Sequence, residues 1–97
     1  MPSYVLLMKL TDQGVKAINE APARIEAGIK GWEAMGGKIK GFYVLMGEYD
    51  YAAFAEAPSD EVAATFALAL SSLGNVRTTT IRAFTVEEFA GLVKRLP

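Results

Sequence analysis

Glu48, Tyr49 and Asp50, with Tyr51 beside them, put two carboxylates and a phenol into one short stretch between two apolar segments. A carboxylate in apolar surroundings is pushed up in pKa and can take a proton as a general base, while a tyrosine hydroxyl can donate to a developing oxyanion. The same residues also suit a turn, in which Gly47 adopts a backbone conformation closed to side chains and Asp50 accepts hydrogen bonds from backbone N–H groups. Glu56 is a second candidate base: it ends a run of alanine and phenylalanine and shares a strand face with Asp50, Ala52 and Phe54. Its plainer role is an ion pair at a sheet rim with Arg77, Arg82 or Arg24. An arginine such as Arg77 can equally grip an anionic ligand. Tyr4, Tyr43, Phe42, Trp32, Met8 and Met46 either line an aromatic pocket or form core. The candidate catalytic residues are therefore Asp50, Glu56 and Tyr49, and the candidate ligand contacts Tyr4, Tyr43, Glu48, Tyr49, Asp50, Glu56 and Arg77.

What is missing narrows the chemistry further. The 97 residues include no cysteine and no histidine. Disulfides, thiol catalysis, Ser-His-Asp triads and HExxH zinc sites are thereby excluded, and a haem would need tyrosine or methionine as its ligand. Any metal would have to be a hard ion held by oxygens, and no metal or cofactor is expected. A net charge of −1 without a basic run argues against nucleic acid as a partner. The first apolar stretch, Tyr4 to Met8, is only five residues long, lacks a basic lead and a cleavage site, and is not a signal peptide. No run approaches the roughly 18 to 20 apolar residues of a membrane span. A cytoplasmic protein is the expectation.

The elements that must position these residues are legible from pattern and punctuation. Residues 3–10 read as a first strand with both faces apolar. Residues 11–21 read as a turn with a short helical lead-in, because Pro22 would break a longer helix. From Pro22 to Gly36 a helical stripe runs through Ile25, Gly28, Ile29, Trp32 and Met35. Residues 38–46 and 50–57 form two strands whose short connector demands an antiparallel hairpin. Ser59 caps a helix carrying Val62, Phe66, Ala69, Leu70 and Leu73, which Gly74 ends. Residues 75–83 are a fourth strand. Thr85 and Glu88 form a capping box inside a Phe84/Phe89 staple, announcing a last helix from Val86 to about Leu96 that lays Phe89, Leu92, Val93 and Leu96 on the domain.

This order, β-α-β twice and then α, predicts one α+β domain over residues 1–97 with a four-stranded antiparallel sheet and both crossover helices on one face. The other face cannot be left in water. Tyr4, Leu6 and Met8 alternate with Val5 and Leu7, and Ile39, Tyr43 and Leu45 with Phe42, Val44 and Met46, so neither side of the sheet is polar. The expected cover is a second copy in a homodimer, or a higher oligomer built of dimers. The competing cover is the C-terminal helix folded back across the open face.

Leu45-Met46-Gly47-Glu48-Tyr49-Asp50, Glu56-Ala57-Pro58-Ser59-Asp60-Glu61 and Leu73-Gly74-Asn75-Val76-Arg77-Thr78 resemble the GYD-domain family of small bacterial proteins, as do Thr11-Asp12-Gln13-Gly14 and Pro22-Ala23-Arg24. The likeness covers nearly the whole chain. It implies a ferredoxin-like protomer related to the dimeric α/β-barrel superfamily, in which two sheets close a barrel. It implies no particular reaction, since that superfamily includes metal-free monooxygenases, isomerases, haem enzymes and plain ligand-binding proteins. The leading expectation is binding or processing of a small molecule between sheet and helices; the alternative is a non-catalytic assembly or interaction module.

Overall fold

A computed structural model describes all residues, Met1–Pro97. Strands β1 (Ser3–Leu10), β2 (Lys38–Val44), β3 (Tyr51–Glu56) and β4 (Val76–Ala83) form one sheet in the order β2-β3-β1-β4, antiparallel at every pairing. Between them run α1 (Asp12–Lys16), a 3₁₀ turn (Ile18–Glu20), α2 (Ala21–Ala34) and α3 (Asp60–Ser72), and α4 (Val86–Lys94) follows β4. The α+β ferredoxin-like arrangement expected from the order of elements is present. Each helix starts where its punctuation dictates. Thr11 accepts from Gly14 N–H ahead of α1, proline occupies the first turn of α2, and Ser59 accepts from Val62 N–H at 3.2 Å ahead of α3.

The core lies between the sheet and α2 and α3. Tyr4, Leu6 and Met8 of β1 and Tyr51, Ala53 and Ala55 of β3 are buried against Trp32 and Ala63 from the helices. Trp32 anchors it, with its ring edge-on to Tyr4 and to Phe66 at centroid distances of 6.4 and 5.2 Å. Its Nε1–H donates to the Glu56 carbonyl at 2.9 Å and the Lys38 carbonyl at 3.2 Å, so burying the indole leaves no donor unpaired. This bond requires Gly37, since any Cβ there would overlap the indole nitrogen.

Strand β2 departs from simple alternation. A bulge between Ile39 and Gly41 inserts Lys40, so Ile39 pairs with Ala55 and Phe42 with Ala53. Both side chains therefore pack against the helix-side core, and Tyr43, not Ile39, lies on the open face. The expected grouping of Ile39 with Tyr43 is thus corrected, because one extra residue reverses the faces of everything beyond it. The strand also ends at Val44 rather than Met46, which is fully exposed at the hairpin tip.

The open face carries Val5, Leu7, Ala52, Phe54, Tyr43 and Ile81, with Tyr43 and Phe54 in edge contact at 6.2 Å. Phe54 is 46% and Tyr43 57% exposed. Helix α4 does not cover them. It does not lie on its own protomer at all, contrary to expectation: Phe89 is 61% and Leu96 71% exposed. With α2 and α3 on one face of the sheet and α4 exposed along its length, the molecule measures 52 × 29 × 19 Å. The radius of gyration, 14.7 Å, exceeds the about 12.5 Å of a compact chain of this length.

Candidate functional site

Helices α2 and α3 enclose with the sheet a half-open cleft of about 500 Å³. It exists because small residues stand where large ones would fill it: Gly28 and Ala27 on α2, Ala69 on α3 and Ala53 on β3. A Cβ placed on Gly28 would meet no atom within 4 Å. The walls are almost wholly apolar, Leu6, Met8, Ile25 and Phe42 among them. Trp32 and Phe66 stand at one stretch of the lining. The polar lining gathers elsewhere, on Arg24 in the first turns of α2, Ser72 at the end of α3 and Asn75 just before β4.

Glu48, Tyr49, Asp50, Glu56 and Arg77 do not line this cleft, and Glu56 stands apart from the other four. Asp50 is built into the sheet: its Oδ2 accepts from Leu10 N–H at 2.8 Å, its own N–H donates to the Met8 carbonyl at 2.9 Å, and its carbonyl accepts from Leu45 N–H at 2.8 Å. The carboxylate thus serves the end of β1, across the sheet from its own turn. Gly47 in that turn has φ +110°, a conformation that side chains rarely adopt. Glu48 pairs with Lys9 at 3.3 Å, and the same ammonium lies 5.1 Å from the ring centre of Tyr49. Glu56 is at the far end of β3, about 20 Å from Asp50 at a strand's rise per residue. Its ion-pair partner is Lys40, at 4.0 Å, and not one of the arginines considered for it. Arg77 is opposite Lys9, at the Asp50 end of the sheet.

Tyr43 belongs to the open face, and Tyr4 to the core, where it is 3% exposed. The Tyr4 hydroxyl donates to Asp60 Oδ1 at 2.6 Å, and Arg82 reaches the same carboxylate at 3.8 Å. Burial, reinforced by the Asp60 carboxylate that accepts its hydrogen bond, pushes the Tyr4 phenol up to about 12. The two candidate bases, Asp50 and Glu56, therefore do not converge on one point, and nowhere do three acidic residues gather to hold a metal. Trp32 and Met8, which the sequence favours as core, belong to the buried core and also line the cleft. The available sign of the cleft was glycine and alanine at helix-stripe positions such as Gly28 and Ala69, a pattern that suits close packing as well as open space.

No helix is long and apolar enough to cross a membrane. No solved structure gives a significant match. The chain is similar to a protein of Thermus thermophilus named "Glutamine synthetase and cystathionine beta-lyase binding protein", 33% identical over 97 residues that cover 99% of each chain. The family model for the GYD domain matches residues 4–93, and the chain accordingly belongs to the GYD domain family.

Proposed function

We propose that this protein is a homodimeric, non-catalytic binding protein that docks onto other proteins, with metabolic enzymes as the partner class. The observation that carries the reading is uncovered apolar surface. Met46 is fully exposed and Phe89, Tyr43 and Phe54 about half exposed, and the protomer's total accessible area, polar and apolar, is 6463 Å² against about 5,400 Å² for a compact monomer of 10.4 kDa. The excess, about 1,000 Å², is close to one partner's share of a standard protein interface, about 800 Å². The open sheet face suits a second copy, since a two-fold axis would set the apolar patch of Val5, Phe54 and Ile81 against the same patch of its mate. The hairpin tip at Val44–Met46 and helix α4 lie beyond that face and are left for another partner. The naming of the Thermus relative for two enzymes it binds supports that class of partner. The separation of Asp50, Tyr49 and Glu56 from the cleft weighs against their acting as a catalytic set.

Size-exclusion chromatography with light scattering tests this directly, on the protein alone and mixed with purified glutamine synthetase or cystathionine β-lyase. A dimer that comigrates with either enzyme, and ceases to do so as Met46→Glu, is expected. A monomer that comigrates with neither would refute the proposal.

A second reading, binding of a small molecule, is favoured by the cleft. Its volume lies within the roughly 300 to 1,000 Å³ of ligand pockets. The two readings are compatible, because the cleft and the open sheet face are on opposite sides of the sheet.

A further inference from the structure

We infer that the cleft takes an amphipathic carboxylate: an unbranched apolar body lying along α2 toward Trp32 and Phe66, and an anionic head at Arg24. The inference rests on the cleft being a binding site and adds the class of molecule. Arg24 is the one charged residue in the lining. Its guanidinium is held in place by the backbone, Nη1 donating to the Ala17 carbonyl at 2.9 Å and Nη2 to the Gly14 carbonyl at 3.2 Å. Those bonds use two of five N–H donors and leave the others for a ligand. Glu20 competes weakly, 4.0 Å away with a side chain 75% exposed. The other polar groups at this end are uncharged and partly engaged. Ser72 Oγ donates to the Ala69 carbonyl at 2.6 Å and Asn75 Oδ1 accepts from Gln13 at 3.0 Å. The site therefore presents a fixed cation beside apolar walls, and a fixed guanidinium favours a planar carboxylate.

Size sets the other dimension. Arg24 and Trp32 are eight residues apart on one helix, about 12 Å at 1.5 Å per residue. A volume of about 500 Å³ admits on the order of fifteen non-hydrogen atoms at roughly 30 Å³ each. A medium-chain fatty acid fits both limits.

The test uses the full chain, an uncharged fluorescent probe (phenylnaphthylamine), and decanoate and decanamide as competitors. The probe should bind, and decanoate should displace it at a concentration at least about tenfold below decanamide, one charge-assisted contact being worth that much. Arg24→Gln should level the two competitors, and Arg24→Lys should restore part of the difference. Gly28→Leu projects a side chain into open space, improves helix propensity and should abolish binding of all three. Failure of the probe to bind, or binding untouched by Gly28→Leu, overturns the cleft as a site. Probe binding that decanoate and decanamide displace equally overturns the carboxylate alone. Because the competitors are compared on the unmodified protein, a poorly folding Arg24 variant does not blunt the result.

Discussion

Tyr4 shows how one side chain ties local chemistry to stability. Its phenol is protonated in the folded chain up to about pH 12, whereas in the unfolded chain it ionises near 10. Below pH 10 both states carry the proton and the contribution of Tyr4 is fully present. Between about 10 and 12 only the unfolded state loses it, so stability falls by up to about 1.4 kcal/mol per pH unit. Denaturant titrations should show Tyr4→Phe less stable than the unmodified protein by about 1 to 2 kcal/mol at neutral pH, through loss of the Asp60 hydrogen bond, with the gap narrowing above pH 10. A gap constant to pH 12 would contradict the assignment. Gly37 makes a second prediction: Gly37→Ala should cost about 2 to 4 kcal/mol by forcing Trp32 off its two carbonyls, and should red-shift its fluorescence. Trp32 was legible as a buried stripe residue. That its indole nitrogen selects glycine five residues later was not, because the contact depends on how the strand after α2 turns back.

At the scale of elements, pattern and punctuation located all four strands and the three longer helices within a few residues. They failed where one strand departs from its period. Gly41 inside β2 was the available sign of a bulge, since glycine weakens a strand interior and marks such irregularities. Helix α4 was located by its capping box but not by its packing, because an amphipathic helix declares an apolar face without saying whose surface it meets. The box is formed: Thr85 Oγ1 accepts from Glu88 N–H at 3.1 Å and Glu88 Oε1 accepts from Thr85 N–H at 2.8 Å. That backbone hydrogen bond holds the Glu88 carboxyl below its usual range. Its capping contribution is therefore present above the ordinary carboxylate pKa and lost as pH falls through the depressed value. Hydrogen exchange in Val86–Lys94 should quicken about fivefold in Thr85→Ala with little change in β1 or β3, since α4 is not packed on its own protomer. Equal quickening throughout the sheet would mean that α4 is part of the core.

At the scale of the whole molecule, the two apolar faces of β1 pose a question that the protomer alone answers only by half. Tyr4, Leu6 and Met8 are covered by helices, while Val5 and Leu7 face outward beside Phe54 and Ile81. If a second copy covers them, a charge on either side is harmful, but differently. Leu6→Glu buries an unpaired carboxylate inside the protomer and should unfold it, at a cost of several kcal/mol. Val5→Glu or Leu7→Glu meets its own image across the two-fold axis, so the like charges oppose association before they oppose folding. The outward variants should sediment as folded monomers, or as dimers only at high concentration, with near-native circular dichroism. Because folding and association are linked, the melting temperature of the unmodified protein should rise with concentration, and that dependence should vanish in Leu7→Glu. An unmodified protein that sediments as a monomer at about tens of micromolar, and melts at one temperature whatever its concentration, would show that the open face needs no partner copy.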